Sequence, residues 1–380
     1  MKRLTIRDIA LKAGVSASTV SMILNGKMGI SEDTRHRVQT IIENSAYTPN
    51  LIARSLVKRR SYTIAFLVRT LQHPIYNEMA AGIDEILKPK GYSLSIISTG
   101  DDGALERTEV QKIIARGIDG ILTAAALVDN QNLANLVDSG FPVVAILRRV
   151  YNCGGLDYVT VDNQKGAFLA VEHLIRLGHR HIGIIKGPSN NSTGIERFEG
   201  VLQAFNTYGM RLSENLVHPG DYLQETGYSA ARKFLEQGRA KRPTAIFASN
   251  DDMALGAFQC IWEMGLRIPE DIALAGFNDV KIASFCTVQM TTVSQHNYEM
   301  GRLGAQRLIE KLEKRKGLKK NYRAILEPEL VIRKSCGFSL LSGYKRKRKG
   351  DQSVRGVSAG TLGNGMNSQR KSRGALMKEG

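Results

Sequence analysis

From about residue 61 the chain alternates between short apolar runs and longer stretches with helical spacing. The apolar runs span residues 63–68, 93–97, 120–124, 143–147, 158–161, 181–185, 244–248 and 272–277. Helical spacing lies between them at residues 77–87, 105–115, 131–137, 165–177, 195–208, 226–237 and 252–264. Buried strands that alternate with amphipathic helices predict a parallel sheet with helices on both faces. Because the pattern runs through the chain twice, we expect an α/β body made of two similar lobes.

Polar residues gather where these predicted strands end. In open parallel sheets ligands lie beyond the carboxyl ends of the strands, so two facing lobes predict a small-molecule cleft. The residues at these ends are 73–76, 148–149, 190–197, 250–252 and 278–279. Each has a structural alternative: Asn250 can cap the next helix, and Arg197 can be a solvated charge in a first helical turn. As a set that converges on one cleft, ligand contact is favoured.

The segment TIRDIALKAGVSASTVSMILNG (residues 5–26) predicts two short helices around a tight turn. Thr5 and Asp8 form an N-cap pair, Gly14 ends the first helix and Ser16 caps the second. A third helix is predicted over about residues 32–44. This is the pattern of a helix-turn-helix, and its alternative is an ordinary corner between two helices. The exposed face of the second helix, with small polar residues, favours close approach to base edges in a major groove.

The segment YTPNLIARSL (residues 47–56) continues into a short basic stretch that ends at Arg59 and Arg60. A helix of this length is marginal in water by itself. We therefore predict that it orders only when two copies pack together on DNA, with Leu56 as an apolar wedge between minor-groove base steps. The alternative is a plain basic linker whose leucine packs on the body.

The net charge of +17 is concentrated at the two ends of the chain. Residues 1–60 hold 11 Lys/Arg against 4 Asp/Glu, and residues 343–380 hold 10 against 2, which leaves the middle near neutral at +2. Positive charge on a helix-turn-helix is the electrostatic pattern expected for phosphate binding, and it makes affinity depend steeply on salt. The neutral body is therefore expected to have a different partner.

Other function classes lose support from the sequence. Residues 1–342 lack the G-x-G-x-x-G, G-x-x-x-x-G-K-[ST], G-x-S-x-G and H-E-x-x-H motifs, so we expect no enzyme and no cofactor. Cys153, Cys260, Cys286 and Cys336 are far apart, which predicts buried free thiols rather than a metal site or disulfides. With no long apolar run and no secretory signal, we expect a cytoplasmic protein associated with the nucleoid, with no membrane partner. A transport-type solute-binding receptor is the alternative, but it would need an export signal and no DNA-reading head.

Longer motifs then identify a family. They are TIRDIALKAGVSASTVSMILNG, YTPNLIARSL, VTVDNQKGAFLAVEHLIRLGHRHIGIIKG, RPTAIFASNDDMALGA, PEDIALAGFND and PELVIRKSC. From about Thr5 to Cys336 the chain resembles the LacI/GalR (lactose-repressor) family of bacterial transcription regulators. The resemblance implies a homodimer, or a dimer of dimers, whose paired heads bind a pseudo-palindromic DNA operator. It also implies allosteric control by a small-molecule effector, such as a sugar or nucleoside, between lobes like those of periplasmic binding proteins.

The resemblance also implies particular site residues and boundaries. The expected DNA-binding residues are Thr5, Ser16, Ala17, Ser18, Thr19, Ser21, Met22, Asn25, Asn50, Ala53 and Leu56. The expected effector-binding residues are Ile75, Tyr76, Arg148, Thr193, Arg197, Tyr222, Asn250 and Asn278. The expected domains are a head (residues 1–47), a hinge helix (48–60), an N-terminal lobe (61–161 with about 294–322), a C-terminal lobe (162–293 with about 323–340) and a basic tail (343–380).

Three departures from the family pattern limit this transfer. Met22 stands where the family usually has arginine, so the operator sequence is not expected to match that of relatives. Asn278 stands where the family usually has aspartate, and an amide can donate as well as accept, so the ligand is expected to differ from a common sugar. The tail beyond residue 343 has too few apolar residues to form a core and is expected to be disordered. It either adds non-specific DNA affinity or is an accident of the reading frame.

The direction of the switch and the assembly stay open at the level of sequence. An effector that releases DNA and one that promotes binding are both compatible with one two-state body. The sequence has no leucine heptads after Cys336, which argues mildly against a tetramer held by a coiled coil.

Overall fold

The computed structural model of the chain describes residues 4–24, 26–45, 60–238, 240–285, 287, 289–313 and 321–338. The predicted hinge segment and the basic tail lie outside these ranges, apart from Arg60. Asn25, Asn50, Ala53 and Leu56 of the expected DNA-binding set also lie outside them, as does Cys286.

The head consists of helices α1 (Ile6–Ala13), α2 (Ala17–Leu24) and α3 (Glu32–Glu43). Thr5 caps α1 in a reciprocal capping box with Asp8, and Gly14 ends the helix in the left-handed conformation (φ 63°). The small core of the head is formed by Ile9, Ala10, Ala13, Val20, Ile23 and Val38. The predicted helix-turn-helix is therefore formed by the caps and the apolar spacing that the sequence shows.

The body contains the following elements in chain order. The strands are β1 (Thr63–Val68), β2 (Ser93–Ser98), β3 (Gly120–Thr123), β4 (Val143–Ile146), β5 (Asp157–Val161), β6 (Ile182–Lys186), β7 (Val217–Pro219), β8 (Ala245–Ala248), β9 (Ala273–Ala275), β10 (Thr292–Ser294), β11 (Arg323–Leu326) and β12 (Glu329–Val331). The helices are α4 (Pro74–Leu87), α5 (Gly103–Ala115), α6 (Gln131–Asp138), α7 (Asn163–Arg176), α8 (Ser192–Thr207), α9 (Gln224–Leu235), α10 (Asp251–Glu263), α11 (Lys281–Phe285) and α12 (Asn297–Leu312).

The N-terminal lobe is built on a parallel sheet with strand order β11-β5-β4-β3-β1-β2. Alternate residues of β1 point to opposite faces of this sheet. Ile64 and Phe66 join one hydrophobic cluster, whereas Ala65 and Leu67 join another. Both faces are therefore covered, which explains why the strand is a continuous apolar run rather than an alternating one.

The C-terminal lobe has a second parallel sheet with order β7-β6-β8-β9, and β10 pairs with β12 in a small antiparallel sheet. Strand β11 does not belong to this lobe, because Arg323–Leu326 pairs with β5. The expected domain boundary after residue 322 would place this strand in the C-terminal lobe. In the structure, the chain instead passes from the N-terminal lobe to the C-terminal lobe in the segment between β11 and β12. Pairing with β5 fills the open edge of the first sheet, which explains the difference.

Helix α12 lies late in the sequence but packs on α4 and on the first sheet. Arg307 of α12 donates through Nε to the Asp157 carboxylate of β5 at 2.9 Å, and both side chains are almost fully buried. The two helices approach so closely that a Cβ on Gly301 would lie 2.1 Å from the Met79 carbonyl oxygen. A Cβ on Gly82 would meet the Tyr298 carbonyl oxygen at the same distance. Glycine at both positions therefore permits the contact.

Two further observations concern the body. Cys153, Cys260 and Cys336 are buried free thiols, as the sequence predicts for these three residues. None of the helices in the described part of the chain is both long and apolar enough to span a membrane.

Candidate functional site: the cavity between the lobes and the exposed face of α2

A cavity lies between the two lobes, at the carboxyl ends of their strands. The N-terminal lobe lines it with Arg69, His73, Ile75, Tyr76, Leu147 and Arg148. The C-terminal lobe lines it with Thr193, Arg197, Tyr222, Asn250 and Asn278. The eight residues expected to bind an effector are thus brought together around one cavity, and Arg69, His73 and Leu147 are additional. A cleft between two lobes that is lined by a few convergent polar groups is typical of a small-molecule site.

Arg148 crosses the N-terminal side of the cavity as a fully buried cation. Its Nη1 and Nη2 atoms donate to the two carboxylate oxygens of Asp101 at 2.5 and 3.3 Å, and Nη1 also reaches the Ala125 carbonyl oxygen at 3.3 Å. Arg69 lies 3.1 Å from the same carboxylate. The Nε atom of Arg148 is buried and has no hydrogen-bond partner among the described residues. Two guanidinium groups therefore share one carboxylate, and one buried donor is unused.

Arg197 occupies the C-terminal side and is held by four oxygen atoms. Nη1 donates to the Ser249 carbonyl oxygen at 2.6 Å and to Asn278 Oδ1 at 3.3 Å, while Nη2 donates to Gln295 Oε1 at 2.9 Å. Nε donates to Asn163 Oδ1 at 2.9 Å. Its guanidinium also lies over the Phe277 ring, 3.7 Å from the ring centre. Burial lowers the pKa of Arg197 to about 10.

Tyr222 and Thr193 form a hydroxyl pair on the wall of the cavity, 3.0 Å apart. Asn250 performs the capping role that the sequence offered as its alternative, since its Oδ1 accepts from the Met253 amide at 3.0 Å. Its Nδ2 atom donates to the Tyr222 carbonyl oxygen at 3.1 Å. Asn250 therefore fixes the start of α10 and the position of Tyr222 while it also lines the cavity.

His73 links the two lobes at the rim of the cavity. Its Nδ1 atom accepts from the Ile75 amide at 3.4 Å, and its Nε2 atom lies 3.2 Å from a carboxylate oxygen of Asp252. Burial, followed by the charges of nearby arginines, lowers the pKa of His73 to about 4. Burial raises the pKa of Asp252 to about 6. At neutral pH, His73 is therefore a neutral ring that donates from Nε2 to the carboxylate across the cleft.

Several cavity residues have a positive φ, a backbone conformation that is unfavourable for residues other than glycine. Leu147, Tyr222 and Asn278 have φ values of 73°, 69° and 119°, and Asp101, which holds Arg148, has a φ of 59°. Non-glycine residues at positive φ cost free energy and collect at functional sites. The body therefore places backbone strain around this cavity.

Other contacts join the lobes beside the cavity. Arg149 of the N-terminal lobe donates through Nε and Nη2 to Glu196 Oε1 of α8 at 2.9 and 2.7 Å. The Val128 amide donates to the Asn190 carbonyl oxygen at 3.0 Å. These contacts lie where a change in closure of the cleft would stretch or break them.

The second candidate site is the exposed face of α2 in the head. Ser16, Ser18 and Met22 are exposed, whereas Ala17, Thr19 and Ser21 are half-buried. The Ser16 hydroxyl accepts from the Thr19 amide at 3.0 Å and lies 2.6 Å from the Ser18 hydroxyl. Ser16 thus caps α2 as predicted, and Thr5 at the start of α1 is also exposed.

Sequence reasoning missed Arg69, His73 and Leu147 as members of the expected effector set. His73 was within a strand-end segment, whereas Arg69 and Leu147 directly follow β1 and β4. All three residues follow the carboxyl end of a strand, and this position in the sequence could have identified them. No group of three or more His, Cys, Asp or Glu residues in the described part of the chain is arranged to hold a metal ion.

A helix-turn-helix head combined with a two-lobe body and an interlobe cavity defines a ligand-responsive DNA-binding regulator. Comparison with known families agrees. The family described as "Periplasmic binding proteins and sugar binding domain of LacI family" matches residues 61–325, and "Bacterial regulatory proteins, lacI family" matches residues 5–50. The chain therefore belongs to the LacI family of bacterial transcription regulators.

Relatives match across nearly their full length. The HTH-type transcriptional repressor PurR of Haemophilus influenzae (strain PittEE) is 32% identical over 332 residues, which cover 87% of this chain and 98% of the relative. The ribose operon repressor of Haemophilus influenzae (strain ATCC 51907 / DSM 11121 / KW20 / Rd) is 32% identical over 333 residues, with the same coverage. The similarity therefore spans head and body together.

Solved structures give the same result. The Lac repressor dimer bound to operator and the anti-inducer ONPF has a TM-score of 0.79 at 25% identity, covering 88% of this chain and 99% of that chain. A complex of the transcriptional regulator CelR with cellobiose has a TM-score of 0.67 at 30% identity, covering 88% of this chain and 100% of that chain. Both likenesses extend over head and lobes.

Proposed function

We propose that this protein is a transcriptional repressor that binds a pseudo-palindromic operator as a homodimer and is controlled by a small molecule bound between its lobes. The observation that carries this proposal is the convergence of residues from both lobes on one cavity, in a chain whose head exposes a polar helix face. The relatives support it, since they are named repressors, and one structural neighbour is a dimer bound to operator.

The expected site residues take separate roles in this proposal. Ser16, Ser18 and Met22 are exposed on α2, where they are available to a major groove, and Ala17, Thr19 and Ser21 flank them. The eight expected effector residues line the cavity. A ligand that binds both walls favours one degree of closure, which is how it would select one state of the body.

The switch needs only a modest coupling. Specific protein–DNA complexes of this kind have a Kd of roughly 10⁻⁸ to 10⁻¹¹ M, so a loss of a few kcal/mol empties an operator. A coupling of about 1 to 3 kcal/mol between two sites is ordinary for an allosteric protein. We expect no catalytic turnover of the effector, and we expect the protein to act in the cytoplasm, on the nucleoid.

The test is selection of DNA from a random-sequence pool with the purified full-length chain at moderate salt. The same selection is repeated with a variant that lacks residues 343–380. Recovery of one palindrome by both proteins supports a sequence-specific dimeric regulator. Binding by the full-length chain alone, without sequence preference, would instead assign DNA binding to the basic tail and overturn the proposal.

A further inference from the structure

Arg197 is a buried cation in the cavity whose hydrogen-bond partners in the described chain are all uncharged. Its partners are carbonyl and amide oxygens, and the side chain of Asn278 that faces it is an amide. Burying a charge without a counter-charge is costly, and the lowered pKa of Arg197 reflects that cost. The described part of the chain therefore provides this cation with no carboxylate in direct contact.

The carboxylates around the cavity are occupied elsewhere. Asp101 accepts from Arg148 and Arg69, Glu196 from Arg149, Asp279 from Arg333, Asp251 from the Thr292 hydroxyl and the Val280 amide, and Asp252 lies against His73. None of the described residues that line the cavity carries a carboxylate, whereas three of them are arginines. The lining is therefore rich in donors that cannot accept a hydrogen bond.

Arg148 adds a second observation. It is one of the arginines in the lining, it is fully buried, and its Nε atom has no partner among the described residues. A buried donor without a partner is rare in a folded protein and costs free energy. An acceptor supplied by a ligand would satisfy it.

Three helices begin at the cavity and add to its positive potential. Helices α4, α8 and α10 contain 14, 16 and 13 residues, and residues at their N-termini line the cavity. The positive end of the helix dipole favours an anion at such a terminus. Here this field coincides with buried guanidinium groups that lack sufficient counter-charge.

We propose that the effector of this protein is an anion, namely a small hydroxylated metabolite that carries a carboxylate or a phosphate group. This inference rests on the proposed function, in which a small molecule occupies the cavity. The oxyanion lies between Arg197 and Arg148, where its oxygens accept hydrogen bonds and balance the charge of Arg197. The hydroxyl groups of the ligand then meet Tyr222, Thr193 and Asn278, which can both donate and accept.

The experiment uses the full-length protein and matched sets of neutral and anionic probes. Thermal unfolding and titration calorimetry are measured with ribose and ribose 5-phosphate, with glucose, glucose 6-phosphate and gluconate, and with inorganic phosphate. Sodium chloride at matched ionic strength is the reference. We expect the anionic members to raise the Tm more than their neutral partners, and the phosphate and carboxylate arms distinguish the two sources of the oxyanion. The proposal is overturned when a neutral sugar stabilises the protein more than its anionic derivatives, or when no anion exceeds the chloride reference.

The variant Asn278→Asp tests the role of Arg197 directly. It places a carboxylate beside the guanidinium, at the position where Oδ1 now lies at 3.3 Å, and supplies the missing counter-charge within the protein. We expect anion affinity to fall about tenfold or more. The control Asn206→Asp adds the same charge at an exposed position of α8. Equal anion affinity in the two variants would contradict the inference, and if N278D does not fold, the wild-type probe series decides.

The outcomes also separate this inference from the proposed function. A neutral effector that changes binding to the selected operator would leave the repressor function intact and overturn the anionic effector. A chain that binds the anionic probes in its cavity but selects no operator sequence would overturn the repressor and leave the cavity chemistry standing.

Discussion

At the scale of single residues, Met22 stands on α2 at a position where the resemblance to the family leads us to expect an arginine. It is 37% exposed on α2, so a longer cation at this position can reach DNA without disturbing the core. We expect Met22→Arg to tighten operator binding by about 1 to 3 kcal/mol and to steepen the slope of log K against log salt by about 0.9. Fluorescence anisotropy with the selected operator over a salt series measures both quantities.

The control for that experiment is Leu11→Arg, which adds the same charge on α1 at a position that is 84% exposed. If L11R tightens operator binding as much as M22R does, the gain comes from net charge alone. The result would then contradict a direct contact between α2 and the DNA.

Leu56 is the single residue on which the predicted minor-groove wedge depends. Unstacking a base step costs a few kcal/mol and is repaid only where the bent DNA makes further contacts. We therefore expect Leu56→Ala to weaken binding to the operator far more than binding to random DNA, as measured by competition with each. Equal losses on both would argue against a wedge.

His73 provides a test of the electrostatics of the cavity. Its pKa is lowered from 6.5 to about 4 by burial and nearby cations, so between these pH values the unfolded chain binds more protons than the folded chain. The contribution of His73 to stability is therefore present above pH 6.5 and is lost as the pH falls towards 4. We expect its ring nitrogens to show the neutral form, protonated at Nε2, in a long-range ¹H–¹⁵N spectrum at pH 7. The variant His73→Gln assigns the signal, and a ring that titrates near pH 6.5 would show that the cavity does not have this field.

At the scale of elements, the close contact of α4 with α12 depends on glycine. In Gly301→Ala the new methyl group would lie 2.1 Å from the Met79 carbonyl oxygen, so the helices must separate. We expect a loss of about 1 to 3 kcal/mol in the free energy of unfolding, measured by urea denaturation. The control Gly103→Ala changes a helical glycine whose Cβ would meet nothing within 4 Å, and it should be neutral or slightly stabilising. A similar loss in both variants would show that helix packing is not the cause.

The elements also show how far sequence patterns lead in this chain. The strands that are continuous apolar runs, such as TIAFLV, were predicted within a residue or two of their bounds, because burial on both faces leaves a strong signal. Helix α12 had no such signal. Its N-cap His296 has a φ of 56° and makes no side-chain cap, and Gly301 and Gly304 lie inside the helix against its propensity. Packing on α4 and the buried Arg307 interaction compensate for what the local sequence lacks.

The positions of several cavity residues could also be predicted from the strand pattern. Features that depend on contacts between distant segments could not. Arg148, Asn250 and Asn278 follow apolar strands, so their place at the carboxyl ends of the two sheets follows from the alternating pattern. The placement of β11 beside β5 depends on a pairing between segments some 160 residues apart, for which no local pattern exists. The charge balance at Arg197 could not be predicted from the sequence either, because it depends on which carboxylates in the fold already accept hydrogen bonds from other residues.

At the scale of the whole molecule, the ion pair between Arg149 and Glu196 couples the two lobes. The Arg149 side chain is 33% exposed and that of Glu196 is 8% exposed, so the pair contributes on the order of 1 kcal/mol to the closed arrangement. We expect Arg149→Gln to shift the lobes towards opening, with a larger radius of gyration in small-angle X-ray scattering and a several-fold weaker ligand affinity. The matched control is Arg302→Gln, whose pair with Glu299 lies within α12. An unchanged radius and affinity in R149Q would mean that this pair does not bias closure.

The first sheet is completed by a strand that the chain supplies only at Arg323–Leu326, after the whole C-terminal sheet. Synthesis on the ribosome is directional and proceeds at roughly 5–20 residues per second, so domains that are contiguous in sequence fold as they emerge. Here one edge of β5 remains unpaired until most of the polypeptide has been translated. Unpaired strand edges promote aggregation. The nascent N-terminal lobe therefore exposes this strand edge throughout the synthesis of the C-terminal sheet. A premature stop codon before β11 would leave both lobes unfinished.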